Sequence, residues 1–242
     1  MTAAALQALA SSPHYDELLV RADRAAVIAT LARGMAHDLR GPLQTLTLMV
    51  DPHADLLSEA GRLRGPVSAA VQHLTETIAR FSQVYAPADT EPVPLIVDDL
   101  LGCVLDLQRY QRGLPAAEVE LQIPSGLPPV RAIEASLRHL LLSLVINAKQ
   151  ALAGRSDGRI VLAGRQQGAE VHLTVEDNGQ GLSPAERIRA FEPFHTTREG
   201  SLGIGLTVAR LLAERQDATV TLEDAPQGGV RAVVTMQGWQ RS

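Results

Sequence analysis

Seven apolar residues, Val27, Leu31, Met35, Leu39, Leu43, Leu46 and Val50, recur at spacings of three and four. That period sets them on one stripe and predicts a single long helix over residues 15–50. Pro42 lies inside the pattern, where a proline removes a backbone hydrogen bond at a cost of about 3 kcal/mol, so a bend is expected there. His37 sits two residues from both Met35 and Leu39, about 200° around the helix from each. The imidazole is therefore expected away from the stripe, open to solvent.

A second long helix follows. Asp51-Pro52 closes the first, Gly61, Gly65 and Pro66 punctuate the connection, and Pro66 suits the first turn of the next helix, where its missing N–H costs nothing. Val67, Val71, Leu74, Ile78, Phe81 and Tyr85 then alternate spacings of four and three, a heptad seam. A lone hairpin buries such narrow stripes poorly. Two hairpins packed as a four-helix bundle bury both, which predicts a symmetric homodimer. His73 falls off the seam with no acid after it and reads as a solvated histidine.

Ala86 to Pro94 is dense in proline and small polar residues and reads as a linker or a strand entry between domains. Beyond it the period changes. Helices are predicted at 96–112, 134–153 and 207–215; alternation predicts strands around 119–123, 159–163, 170–176, 219–222 and 231–236, with turns through Gly168 and Gly228-Gly229. This order implies an α/β sandwich on a mixed or mostly antiparallel sheet. The domain reading is an N-terminal segment 1–14, a helical hairpin 15–88, a linker 89–94 and an α/β domain 95–242.

Composition narrows the function classes. With 45% apolar residues in 242 the chain has ample core material, and a net charge of −5 argues against a nucleic-acid surface. Cys103 is the only cysteine, which excludes an internal disulfide and a Cys-based zinc site. No apolar run reaches membrane-spanning length and no Lys or Arg precedes Arg21, so neither a span nor a signal peptide is predicted and the protein is expected in the cytoplasm. Fewer than forty residues precede His37, so no separate sensory domain is expected ahead of it in this sequence.

Three motifs in the second domain suit nucleotide chemistry. Ile146-Asn147-Ala148-Lys149-Gln150-Ala151 lies in an apolar helix; its polar residues read either as a solvent face or, through the Asn147 amide oxygen, as a hard ligand for Mg²⁺. Asp177-Asn178-Gly179-Gln180-Gly181 is a strong turn former, and its carboxylate also suits an exocyclic amine such as adenine's. Gly203-Ile204-Gly205-Leu206 opens a helix, where backbone N–H groups can meet phosphate. No P-loop signature occurs.

His37-Asp38-Leu39-Arg40-Gly41-Pro42-Leu43 resembles the H-box of sensor histidine kinases of two-component systems. The Asn147 motif, Asp177-x-Gly179-x-Gly181, Phe191-Glu-Pro-Phe194-His195-Thr196-Thr197 and Gly203-x-Gly205 follow in the order of the N, G1, F and G2 boxes of the Bergerat-type ATPase domain. The wording is closest to the nitrogen-regulation branch, and the resemblance spans 15–236. It implies a dimeric four-helix bundle for histidine phosphotransfer, followed by an ATP-binding α/β sandwich with a mixed sheet. It further implies autophosphorylation of His37 from Mg-ATP, with Asp38 holding Nδ1–H; successive helical residues diverge by about 100°, so that contact requires Asp38 to fold back. Asn147 would hold Mg²⁺ and Asp177 the adenine. Lys149 and Arg198 are candidates for the phosphate charges, Arg198 on a mobile lid from about 183 to 202. Gly179, Gly181, Gly203, Gly205 and Leu206 would complete the nucleotide cradle. The phosphate would pass to an aspartate of a response-regulator receiver domain, with a protein activator or sensor supplying the signal.

Departures from the pattern are specific. Gly41 replaces the Thr or Asn tied to dephosphorylating the partner, Ser143 replaces the first Asn of the N-box, Gln150 stands where many members carry Lys, and Ser201-Leu202 occupy the start of the G2 box. The alternative is a histidine phosphotransfer adaptor with a nucleotide-domain scaffold that does not autophosphorylate; retention of Asp177 and the glycines runs against it. Another Bergerat ATPase, a chaperone, a topoisomerase subunit or a serine kinase acting on anti-sigma partners, is disfavoured by the absence of the usual catalytic glutamate context and by His37-Asp38.

Overall fold

The computed structural model describes residues 14–49, 56–85, 91–111, 114–198 and 201–239. Helix α1 spans Tyr15–Met49 with Pro42 inside it, and Asp16 and Glu17 in its first turn complement the helix dipole. Helix α2 spans Leu56–Tyr85 and packs against α1 as a hairpin. Its start corrects the sequence expectation, because Pro66 lies inside it and not in its first turn. Leu56, Leu57, Glu59, Ala60, Arg62, Leu63 and Arg64 are strong helix formers, and one missing backbone bond does not stop them. The expected closure at Asp51-Pro52 lies outside the described residues.

The rest of the chain runs β1 (Val93–Leu95), α3 (Val97–Gln108), β2 (Glu118–Gln122), β3 (Val130–Ala132), α4 (Glu134–Ala151), β4 (Arg159–Gln167), β5 (Glu170–Asp177), α5 (Pro184–Arg189), α6 (Gly205–Glu214), β6 (Thr219–Asp224) and β7 (Val230–Gln237). Five strands form one sheet in the order β2-β4-β5-β7-β6. The β2–β4 pair is parallel and the others antiparallel, so the sheet is mixed. β1 and β3 pair separately, with Val93 opposite Ala132. β3 went unpredicted, and β1 was anticipated only as the strand-entry alternative at the end of the linker, because three residues carry no legible period.

Alternation on β5 turns Val171, Leu173, Val175 and Asp177 to the same buried phase. Helices α3, α4 and α6 cover the sheet, and Leu101, Leu137, Leu140, Leu141, Leu162, Leu173, Val208 and Leu212 are almost fully enclosed between the layers. Each such side chain contributes about 1.5–3 kcal/mol of burial.

The hairpin is not a separate body. Leu19, Val27, Leu31 and Met35 of α1 are buried within the same continuous core as the α/β layers, and α1 touches both α4 and α6. Gly34 allows the closest approach: a Cβ there would lie 2.0 Å from the Tyr110 carbonyl oxygen.

Candidate nucleotide and phosphotransfer site

Helix α4 positions the site. It is enclosed on almost every side, so its polar residues are forced into defined contacts. Asn147 borders two clefts. The first, about 290 Å³, lies between α4, the turn 201–205 and α1, with Asp23, Thr30 and Arg33 forming its far wall. The second lies beneath the segment 182–198 and shares Asn147, Gly203 and Gly205, with Leu206 added. The Asn147 Nδ2 atom is buried with no hydrogen-bond partner among the described residues. A Cβ at Gly205 would sit 3.3 Å from that nitrogen. An unpaired amide donor beside a side-chain-free helix start suits a phosphate oxygen, and the amide oxygen of the same side chain is the hard donor a divalent cation takes.

Asp177 lines neither of these clefts. Its Oδ1 accepts hydrogen bonds from the backbone N–H of Gly179 at 2.8 Å and of Val230 at 3.4 Å. Burial raises the carboxyl pKa, opposed by those two bonds and by the Arg198 charge. A carboxylate fixed this way at the inner end of β5 is preorganised to accept from a ligand amine. Gly179 packs against the Ala151 carbonyl, and Gly181 lies beside Gly229 in a left-handed turn.

Arg198 reaches from the far segment to α4, donating to the Gln150 side-chain oxygen at 3.1 Å and to the Asn147 carbonyl at 3.5 Å. Gln150, in place of the family's frequent lysine, is thus the acceptor for Arg198. The base of this segment is held by Phe191: its carbonyl accepts from Thr207 at 3.0 Å, and Arg210 lies 5.4 Å from its ring centroid. Gly203, at φ +66, lets its backbone run against Phe194 and His195, where a Cβ would come within 2.7 Å of the His195 carbonyl oxygen. The expected lid contains α5, whose capping box pairs Ser183 with Glu186 behind Pro184. The sequence Ser-Pro-Ala-Glu carries that signal.

Lys149 is not brought to the site. It is 6% exposed and donates to the Gln108 carbonyl at 2.8 Å. Burial lowers its pKa to about 8. One residue after an inward-facing Ala148, its direction was set by packing against α3, which periodicity in α4 does not reveal.

His37 is 59% exposed, and its Nδ1 stands 3.5 Å from Asp38 Oδ1. Asp38 does fold back toward the ring. Sequence reasoning missed Asp23 altogether. That carboxylate is buried, and its Oδ2 accepts from Ser143 Oγ at 2.8 Å and pairs with His139 Nε2 at 3.0 Å. Ser143 and His139 occupy one face of α4, four residues apart, so a single acid on α1 clasps that helix.

Comparison with known proteins accounts for this arrangement. The family model described as histidine kinase-, DNA gyrase B- and HSP90-like ATPase matches residues 132–239. Those residues form an ATPase domain of that family. The chain as a whole is a relative of the sensor histidine kinases. It is 26% identical over 224 residues to the C4-dicarboxylate transport sensor protein DctB of Rhizobium meliloti, covering 89% of this chain and 35% of that protein. It is likewise 26% identical over 226 residues to the nitrogen regulation protein NtrY of Azorhizobium caulinodans, covering 87% of this chain and 28% of that protein. The chain therefore spans about a third of these curated relatives' lengths. Among solved structures, full-length ShkA in complex with AMPPNP shares the fold at TM-score 0.54 and 20% identity, covering 96% of this chain and 47% of that chain. No helix among the described residues is long and apolar enough to cross a membrane. In this domain, Asn147 and the Gly203–Gly205 turn lie against each other and line both clefts.

Proposed function

We propose that this chain is the kinase core of a two-component sensor, which phosphorylates His37 from Mg-ATP and passes the phosphate to an aspartate of a response-regulator receiver domain. The observation that carries this reading is the cleft in which Asn147, with its unpaired buried amide nitrogen, lies against the glycine turn 203–205 while the helix bearing His37 forms the opposite wall. Phosphoryl transfer requires positioning and charge neutralisation above all.

Each residue then has a task. Asp177 accepts from the adenine amine. Asn147 offers its amide oxygen to Mg²⁺, which supplies charge neutralisation at the phosphates, and Gly203 and Gly205 admit the triphosphate against the start of α6. Arg198 holds the lid segment to α4 over the nucleotide. His37 attacks through Nε2 while Asp38, 3.5 Å from Nδ1, orients the ring and stabilises the positive charge that builds on it. The enzyme works as a cytoplasmic homodimer. Support for the dimer comes from α2, where Val71 is 49% and Ile78 57% exposed on the heptad seam. A second hairpin covers that seam as a four-helix bundle. Residues 15–88 form the phosphotransfer unit, and the ATPase unit follows the linker.

Incubation with Mg²⁺ and γ-labelled ATP tests the proposal. Acid-labile, alkali-stable label on the wild-type chain and none on His37→Ala is the expected result. Equal labelling of both, or none in either despite bound nucleotide, rejects it.

A further inference from the structure

The nucleotide cleft needs positive charge, and Lys149 does not supply it, since its ammonium is turned into the core against Gln108. Arg33 is the one cation among the described residues that line the first cleft. It comes from α1, outside the ATPase domain, and it is exposed with no ion pair or hydrogen bond among the described residues. At 3.6 residues per turn, Asp23, Thr30, Arg33 and His37 fall within a sector of roughly 80° on α1, and Arg33 precedes His37 by one turn, about 6 Å of axis. The clasp of Asp23 on His139 and Ser143 fixes this face of α1 against the cleft.

Resting on the kinase reading above, we infer that Arg33 is a nucleotide-binding residue supplied by the phosphoacceptor helix, and that it grips the terminal phosphate of the bound triphosphate. The terminal phosphate is the one that must approach His37, so a guanidinium one turn away meets that group and not the phosphates nearer adenine. Arg33 neutralises charge there and brings the phosphate to the helix that receives it. A nucleoside diphosphate has no group for it to hold. The ATPase domain then distinguishes triphosphate from diphosphate only when docked on α1, which ties nucleotide discrimination to the hairpin's position.

The test is calorimetric titration of the full chain with AMPPNP and with ADP, each with Mg²⁺. Arg33→Ala is expected to weaken AMPPNP binding about tenfold or more while ADP affinity changes less than about twofold. Arg33→Lys, keeping the charge but not the planar fork, recovers part of the loss. Arg21→Ala, an exposed arginine of α1 that lines no part of the cleft, leaves both affinities unchanged. Equal losses for the two nucleotides, or no loss for either, overturn the assignment of Arg33 while leaving the kinase reading intact. A wild-type chain that binds neither nucleotide overturns both.

Discussion

Helices α1 and α2 both carry apolar residues at spacings of three and four, yet the two patterns are covered to different extents. In α1, Leu19, Val27, Leu31 and Met35 are each no more than 4% exposed because the ATPase domain closes over them. In α2, Val71 and Ile78 remain half exposed on the heptad seam. The first half of the α1 stripe is buried within the chain, whereas Leu43 farther along it is half exposed, as these α2 residues are. An apolar repeat therefore states that a face will be buried without stating by what. Polar contacts decide the partner: Asp23 clasps His139 and Ser143, and Gly34 admits the Tyr110 backbone.

Gly34→Ala breaks this contrast most strongly. Its Cβ would lie 2.0 Å from Tyr110 backbone oxygen, and overpacking of this kind costs about 3 kcal/mol. Urea unfolding is expected to separate into two transitions as the hairpin leaves the ATPase domain; one unshifted transition would show that the docking does not depend on this approach. Asp23→Ala comes next, leaving His139 and Ser143 without their acceptor for a loss of about 1–3 kcal/mol. A double-mutant cycle with Ser143→Ala checks it, since additive losses would mean the clasp carries no coupling.

Lys149 sharpens the comparison from inside the ATPase domain. Its pKa of about 8 lies below the ordinary 10.5 because burial disfavours the charged form. Between those values the unfolded chain holds a proton that the folded chain has released, so stability rises with pH through that window, by about 1 kcal/mol from pH 8 to 9. Lys149→Met is expected to flatten that rise in unfolding measured at the two pH values, with the docking untouched. The smallest effect on the fold falls on α2. Val71→Lys with Ile78→Lys alters single-chain stability by about 0.5 kcal/mol or less, while sedimentation equilibrium is expected to show monomers; a persistent dimer would place the seam elsewhere.

Much of the fold was legible because its elements are long and periodic. The helix around Asn147 and the alternating strands β4, β5 and β7 stand where the pattern puts them, whereas β1 and β3 are too short for a period and α2 runs through Pro66. At the site, Asn147, Asp177 and the glycine turns were legible as motifs. Lys149 shared the same motif and still faces the core, because a motif names residue types and not the direction in which packing turns them. Asp23, His139 and Arg33 belonged to no motif at all.

By itself, the sequence determined the two apolar repeats, the exposed His37 beside Asp38, and the order of nucleotide motifs, all of which follow from local spacing and side-chain chemistry. Only the tertiary structure decided that α1 docks on the ATPase domain, that an aspartate on α1 fastens α4, and that Arg33 stands at the cleft while Lys149 does not. Those outcomes join residues more than a hundred positions apart, such as Asp23 and His139. Their pairing is fixed by which buried groups find partners when the layers close, a condition that no local pattern expresses.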